Sequence, residues 1–553
     1  MDRRFIWAMA LMTLIVMAPA VFMKKPPAPV SAPVDSAQVP SAQPAAAPAA
    51  VMPPPASPGE GAATSPEDTI LIHTPLASYG ISTRGARLVT ATLAKYESQV
   101  PGHTSQRVEL ILPGSELLGL RLVVGADTVR LDDWQFTAST SDHSIDGPTS
   151  VEFTAAQGGV AVRLVYTFQP DAYQIGVEGS VTGVGPNGGL LLVGMGPGLA
   201  NTEANLVENE RSMGFVTKAQ STKFTSFQSL DTAQVVTASG PFEWVAVKSK
   251  YFVTAILAFE AGAQPIGGLA VRPEPQPGQK KADRAGIWAS MLLPAEGGFR
   301  YTGYAGPMEY SRLAKVGHDF DDVNPYGWPG FRTIIRPVAV AVRWLLVWMH
   351  DNLHLAYGMV LVLFGILVRL VLWPLNQKAM RSTMAMQAIQ PELKAIQDKY
   401  KEDPQRLQQE MFKLYKEHSV NPLGGCWPML LPMPVLLALF FVFQNTIELR
   451  GQAFLWLPDL SRPDPLYIIP LIMGLSMFWL TKMGQRGIPP NPQMKMMMYV
   501  MPIMMTVLFL NFASGLNLYY AVSNLASVPQ QWLISQERLK LAALREGGSS
   551  AKK

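Results

Sequence analysis

The chain has 553 residues, 48% hydrophobic and only 16% charged, a balance too apolar for an ordinary soluble protein of this size and one that puts a membrane protein first. A formal net charge of +4 is too small to point to a specific nucleic-acid partner. One cysteine, Cys426, excludes an intramolecular disulfide, a two-cysteine redox site and a cysteine-rich zinc site.

Within residues 1–23, Asp2-Arg3-Arg4 precede an apolar run from Phe5 to Met23, long enough at about 1.5 Å per residue nearly to span a bilayer. It reads either as a retained transmembrane anchor or as a signal peptide cleaved near Ala18-Pro19-Ala20; in both cases the cationic end stays inside and the residues after the run are exported. Residues 24–68 are rich in Pro and Ala, include Pro53-Pro54-Pro55 and lack the aromatic content that drives collapse, so they read as a semi-extended tether. Over 69–330 the pattern becomes short β-branched and aromatic runs, such as Val162 to Phe168 and Tyr251 to Ile256, broken by Gly, Pro, Asn and Asp. That predicts a large β-rich domain outside the cytoplasm. In 331–352, Ile334, Val338, Val342, Leu345 and Met349 share one helical face and Arg332, Arg336 and Arg343 another. This predicts an interfacial amphipathic helix along the outer membrane surface, or else a soluble helix packed on the β-rich domain.

Further apolar blocks predict membrane spans at 353–375, 423–447, 466–482, 496–513 and 515–535, six with the first. Residues 376–422 alternate charged and apolar positions, with Pro391 near the start and a break at Asp403-Pro404, and read as a helical hairpin. Lys378, Arg381, Lys394 and Lys399, then Lys482, Arg486 and Lys495, then Arg538, Lys540 and Arg545 in the tail 536–553, mark these three stretches as cytoplasmic. Both termini then face the cytoplasm.

Arg369 is a strongly basic residue well inside a predicted span, and the last five spans hold no Asp or Glu to pair with it. An unpaired charge there costs at least ~2.5–3.5 kcal/mol, so it needs either a hydrated recess or a snorkelling path to the headgroups. Asn517, Tyr519, Tyr520, Ser523, Asn524, Gln530 and Gln531 accumulate in the last span, as expected of a lined cavity or of interhelical hydrogen bonding. Met380, Met384, Met386 and Met411 give the hairpin an adaptable apolar surface, suited to docking apolar segments or to simple packing. Methionines also crowd 494–505, again either for adaptable packing or on a lipid-facing helix. No nucleophile elbow, phosphate loop or intramembrane carboxylate pair is present, so the chain reads as no enzyme and as needing no cofactor. His350-Asp351-Asn352-Leu353-His354 has zincin spacing but lacks the glutamate base, and no metal site is expected.

The stretch Val368-Arg369-Leu370-Val371-Leu372-Trp373-Pro374-Leu375, followed by Asn421-Pro422-Leu423-Gly424-Gly425-Cys426-Trp427-Pro428, resembles the paired signature of the YidC insertase family. Asp459-Leu460-Ser461 with Asp464-Pro465, Ser514-Gly515-Leu516-Asn517-Leu518-Tyr519-Tyr520 and Ser523-Asn524-Leu525 come next in the family's order. Trp244, Lys250-Tyr251-Phe252 and Tyr304-Ala305-Gly306-Pro307 are similar to its exported domain. The resemblance implies a polytopic α-helical membrane protein of the bacterial inner membrane: a retained first span, a periplasmic β-supersandwich, and a five-helix core whose hydrated groove opens to cytoplasm and lipid. It implies a groove lined by Arg369 and Tyr520, beside the polar Asn517 and Asn524, and a client slide over Met433, Pro434, Met504, Leu508 and Phe512. The partners implied are nascent membrane-protein clients, the lipid bilayer and the Sec translocon. A short tail ending in Lys552-Lys553 leaves only a weak ribosome contact to expect. Gly365 and Pro432 depart from the pattern, where a hydroxyl residue and Gln are common. The rival reading is a secondary transporter whose Arg369 binds a small anion, although no internal repeat of the kind transporters carry is visible.

Overall fold

The computed structural model describes residues 67–275, 281–327, 330–418, 433–486 and 492–550. The expected first span, nearly all of the tether, the Asn421 to Pro428 motif, Pro432 and Lys552-Lys553 lie outside the described residues.

The described residues of 69–307 build three sheets of five, nine and six strands around one hydrophobic core. In Val160–Phe168 the side chains of Val162, Leu164, Tyr166 and Phe168 are buried at every second position, the period of a strand with one face inward. Phe252–Leu257, a continuous apolar run, is buried at every position and pairs with Gly298–Pro307 inside the nine-stranded sheet. Two short helices punctuate this domain, α1 (Leu206–Ser212), capped by the Asn205 side chain, and α2 (Tyr310–Val316).

Among the described residues eight further helices come after it: α3 (Arg332–Leu353), α4 (Tyr357–Ala388), α5 (Gln390–Lys399), α6 (Pro404–Glu417), α7 (Met433–Asn445), α8 (Ile468–Gly484), α9 (Pro492–Phe509) and α10 (Ser514–Ser550). Of these, α3 and the Tyr357–Pro374 part of α4 are long and apolar enough to cross a membrane, while Val435–Asn445, Ile468–Gly484 and Met498–Phe509 are shorter apolar helices. The helix α4 runs to Ala388, past the expected boundary at residue 375, so the hairpin proper is α5 and α6. Asp403 caps α6 by accepting from the Arg406 N–H at 3.1 Å, and Ile389 and Leu414 form a small buried cluster between the two.

The packed face of α3 is rotated from the one the apolar pattern suggested. Ile335, Ala339, Val342, Leu346 and Met349 are buried, whereas Ile334 is 59% exposed and Arg343 only 6% exposed. The reason is electrostatic: Glu448, in the turn after α7, pairs with the Arg343 guanidinium, which also lies over the Tyr310 ring. Arg332 pairs with Asp322, and Arg336 donates to Asp321 at 2.8 Å, anchoring the start of α3 to the end of the β-rich domain.

Cross-helix contacts give the helix directions. Arg369 meets Ser523 and the Trp373 carbonyl meets Gln530, so α4 and α10 run parallel; Asn524 meets Ser476 and Arg538 meets Gly484, so α8 runs with them. The ring pair Phe478–Tyr499, and Thr506 lying against Gly474, make α9 antiparallel to α8. The β-rich domain therefore sits at one end of the bundle, with Lys482, Arg486, Arg538 and the α5–α6 hairpin toward the other.

The turns at the β-domain end are tightly tied. Asp464 is fully buried and accepts from the N–H groups of Leu466 (3.0 Å) and Ile469 (2.7 Å) and from Trp456 Nε1 (3.2 Å), so it caps α8 and holds the preceding loop. Ser514 N–H and Gly515 N–H donate to the Arg462 and Leu460 carbonyls, fastening α10 to the same loop. We expect Asp464→Ala to destabilise the protein by about 1–2 kcal/mol, within the range for a lost helix cap, and Asp464→Asn by less, measured as a shift in thermal midpoint in detergent. Equal midpoints for the two variants would contradict the capping role.

Candidate functional site

The polar residues of α10 are not scattered. At 3.6 residues per turn Tyr519, Gln530, Ser523, Ser527, Tyr520, Gln531, Asn524 and Asn517 fall in that order across an arc of about 160°. One flank of the arc meets α4, where Arg369 Nε donates to Ser523 Oγ at 2.8 Å and Gln530 Nε2 to the Trp373 carbonyl at 2.9 Å. The other flank meets α8 and α9, with Asn524 Nδ2 donating to Ser476 Oγ at 3.2 Å and Asn517 Nδ2 to the Phe509 carbonyl at 3.0 Å. Tyr520 lies in the middle, half-buried, edge-on to Phe509 and Tyr519.

Arg369 is half-buried, and among the described residues no carboxylate lies within ion-pair distance of it. A hydroxyl is a weak partner for a guanidinium, which keeps donors to spare and would gain from any anion brought to it. The interhelical alternative accounts for Asn524, Gln530 and one end of Asn517, whose Oδ1 is buried without a partner among the described residues. For Arg369 it accounts for Nε alone.

Gly365, one turn before Arg369, lets α4 approach α10: a Cβ there would stand 3.2 Å from Val522 Cγ1 and 3.6 Å from Tyr519 Cδ2. A hydroxyl at this position would crowd that contact. We expect Gly365→Leu to lower the thermal midpoint through overpacking of about 1–3 kcal/mol, with Gly365→Ala close to neutral because its helix propensity offsets the tighter contact. A wild-type midpoint for Gly365→Leu would show that the helices are not in close contact here.

The residues expected to form a slide are divided. Met504 and Leu508 are exposed on a stripe of α9 that also carries Val500, Ile503 and Val507. Phe512 instead turns inward, its ring 5.0 Å from Phe509 and 5.8 Å from Phe440 on α7. Met433 and Pro434 open α7, but their side chains lie outside the described residues, as do those of Met380, Met384 and Met386 on the end of α4. Met411 is half-buried on α6. Sequence reasoning ranked Ser523 and Gln530 below Asn517 and Asn524, although a spacing of seven on α10 opposite a spacing of four from Arg369 to Trp373 on α4 is the signature of two aligned helix faces. Among the described residues no cluster of His, Cys, Asp and Glu could hold a metal ion.

Two sequence families match this chain. Residues 69–340 match the YidC periplasmic domain, and residues 348–541 match the family described as 60Kd inner membrane protein. A curated membrane protein insertase YidC of Chlorobium luteolum is 31% identical over 581 residues, covering 97% of this chain and 95% of its own. This chain belongs to the YidC family of membrane protein insertases. The YidC of Chloroherpeton thalassium is likewise 31% identical, over 86% of this chain and 84% of its own. A crystal structure of an active YidC insertase with its first transmembrane domain resolved matches at a TM-score of 0.34 and 19% identity, covering 85% of this chain and 93% of that one. The three-sheet region of this chain is thus the YidC periplasmic domain, and its helices α4 to α9 fall within the inner-membrane part of the family.

Proposed function

We propose that this insertase moves clients through a hydrated recess bounded by α4, α8 and the polar arc of α10, with Arg369 as its counter-charge. The observation that carries the reading is Arg369 itself, half-buried, held by Ser523 Oγ alone among hydrogen-bond partners of the described residues, and beside the arc. A client's polar flank enters from the cytoplasmic end after docking on the α5–α6 hairpin and the methionines of α4 and α6. Its apolar segment then passes over Met433, Pro434, Met504, Leu508 and Phe512 into lipid. The gain is a lower desolvation barrier, because the flank crosses part of the bilayer beside water and a compensating charge. Burial of the client's apolar segment drives the process, aided by the membrane potential acting on translocated charge.

Six spans, counting residues 1–23 as a retained anchor, put both termini in the cytoplasm and the sheets in the periplasm. The alternation of parallel α4, α8 and α10 with antiparallel α9 supports this count, as do the basic residues at the end away from the sheets. In the same reading α3 lies along the outer surface, its arginines paired with Asp321, Asp322 and Glu448. The protein acts alone or beside the Sec translocon.

The test is insertion of a ribosome-synthesised single-span client into liposomes containing only this purified protein, scored by protease protection. Protection above that in empty liposomes is expected. Equal protection in both removes autonomous insertion by this route.

A further inference from the structure

Above the outer end of the proposed slide lies a cavity of about 670 Å³ between the periplasmic domain and the outer ends of α7 and α10. Its floor includes the rings of Phe443 and Phe512 and the side chain of Leu516. Its far wall carries Lys248 at the end of strand Trp244–Lys248, 7% exposed. The Lys248 ammonium donates to Asn324 Oδ1 at 2.9 Å and lies 5.2 Å from the centre of the Phe224 ring. No ion pair reaches it among the described residues: Glu208 is the carboxylate on the described lining, and Lys250 engages it at 2.9 Å. With Arg211 at the rim, the described lining holds three cations against one anion.

A buried cation without a counter-ion is costly, and burial alone holds Lys248 down to about 8. An anion brought beside it favours its charged form. The neighbouring side chains choose the kind of anion. Gln444, Asn445 and Asn511 offer amide donors and acceptors, which suit a peptide backbone passing through, and protein closes the cavity on both the sheet side and the helix side.

We propose that this cavity seats a carboxylate-bearing flank of a client after that flank has crossed the membrane, with Lys248 as its counter-charge. The proposal rests on the insertion route above, since Phe512, expected at the end of the slide, turns inward and lines the cavity floor.

Two readouts on the full-length protein in proteoliposomes test it. In the first, Lys248 is acylated with an amine-reactive reagent and its modification tracked by mass spectrometry, in the presence of a short Asp- and Glu-containing peptide or its Asn and Gln counterpart. The acidic peptide is expected to slow modification of Lys248 several-fold more than the amide peptide does. Equal effects of the two peptides, or none from either, overturn the proposal. Protection by phosphatidylglycerol in the vesicles without peptide also overturns it and assigns the cavity to a lipid phosphate. In the second readout, Lys248→Met is expected to reduce insertion of a client with an acidic flank and to spare the same client with an amide flank, with Lys248→Arg restoring insertion of the acidic client. An equal loss for both clients overturns the seat. If the wild-type protein inserts neither client, the insertion route fails, while Lys248 protection still decides whether the cavity takes a carboxylate.

Discussion

Replacing Arg450 by Leu is expected to destabilise the junction between the periplasmic domain and the helical core by about 3–5 kcal/mol, the usual consequence of removing one partner from a buried ion pair. The Arg450 side chain is 3% exposed, and its guanidinium fills three directions at once. Nε donates to Glu203 at 2.9 Å, one terminal nitrogen to the Glu97 carbonyl at 2.8 Å and the other to the Thr202 carbonyl at 2.9 Å, while its plane faces the Phe252 ring at 5.3 Å. Without it Glu203 keeps, among the described residues, only the Thr202 hydroxyl at 2.8 Å, so a buried carboxylate loses its counter-charge. Lysine cannot reproduce the fork and should recover only part of the loss. The measurements are the denaturation midpoint in detergent and hydrogen exchange at the Gln99 amide, which donates to the same Thr202 carbonyl. Faster exchange at Gln99 and a lowered midpoint are expected for Arg450→Leu, with much of the loss recovered when Glu203→Leu is added, since the double variant leaves no orphaned charge. If the double variant is less stable than Arg450→Leu by the full effect of Glu203→Leu, the two residues act independently and the latch is disproved.

Arg369→Met should behave in the opposite way on stability and far more severely on function. Its described polar contact is Ser523 Oγ, so removing the guanidinium relieves a desolvated charge and leaves behind only a hydroxyl, which can turn to a carbonyl one turn away as Ser527 does toward Ser523. The midpoint should therefore hold or rise. Insertion of a client with carboxylates in its translocated flank should fall by a factor of about 30, corresponding to about 2 kcal/mol of the ~2.5–3.5 kcal/mol cost of a charge at mid-membrane. Arg369→Lys should retain most of the rate, and a client with an uncharged flank should be little affected. Wild-type insertion of the acidic client by Arg369→Met would remove Arg369 from the mechanism. A loss of both clients together with a lowered midpoint would make the residue structural.

These two arginines also show where the sequence was legible and where it was not. Arg369 stood out because local composition suffices: a strong base among apolar residues is anomalous wherever the chain folds. The same is true of the alternating run at Val162 to Phe168, of the uninterrupted apolar Phe252–Leu257, and of Asp403-Pro404 as the start of a helix, since each depends on periodicity or on a cap within a few residues. Asp464-Pro465 was visible as a motif, but its purpose as the cap of α8 required the backbone to be placed.

Arg450, by contrast, has nothing in its local sequence to mark it as buried. What buries it is Glu203, 247 residues earlier in the chain, and no local pattern encodes that distance. The rotated face of α3 has the same origin, because hydrophobic spacing puts Arg343 on the polar face of the helix, whereas its partner Glu448 lies 105 residues further along the chain. By itself the sequence determined a β-rich domain, most of the helices and the anomaly of Arg369 in an apolar segment, all consequences of side-chain chemistry read against a local period. Only the tertiary structure decided which charges are paired, which face of α3 is inside, and that Lys248 meets Asn324 but no carboxylate among the described residues, because those outcomes depend on which distant residues the fold brings within a few ångströms.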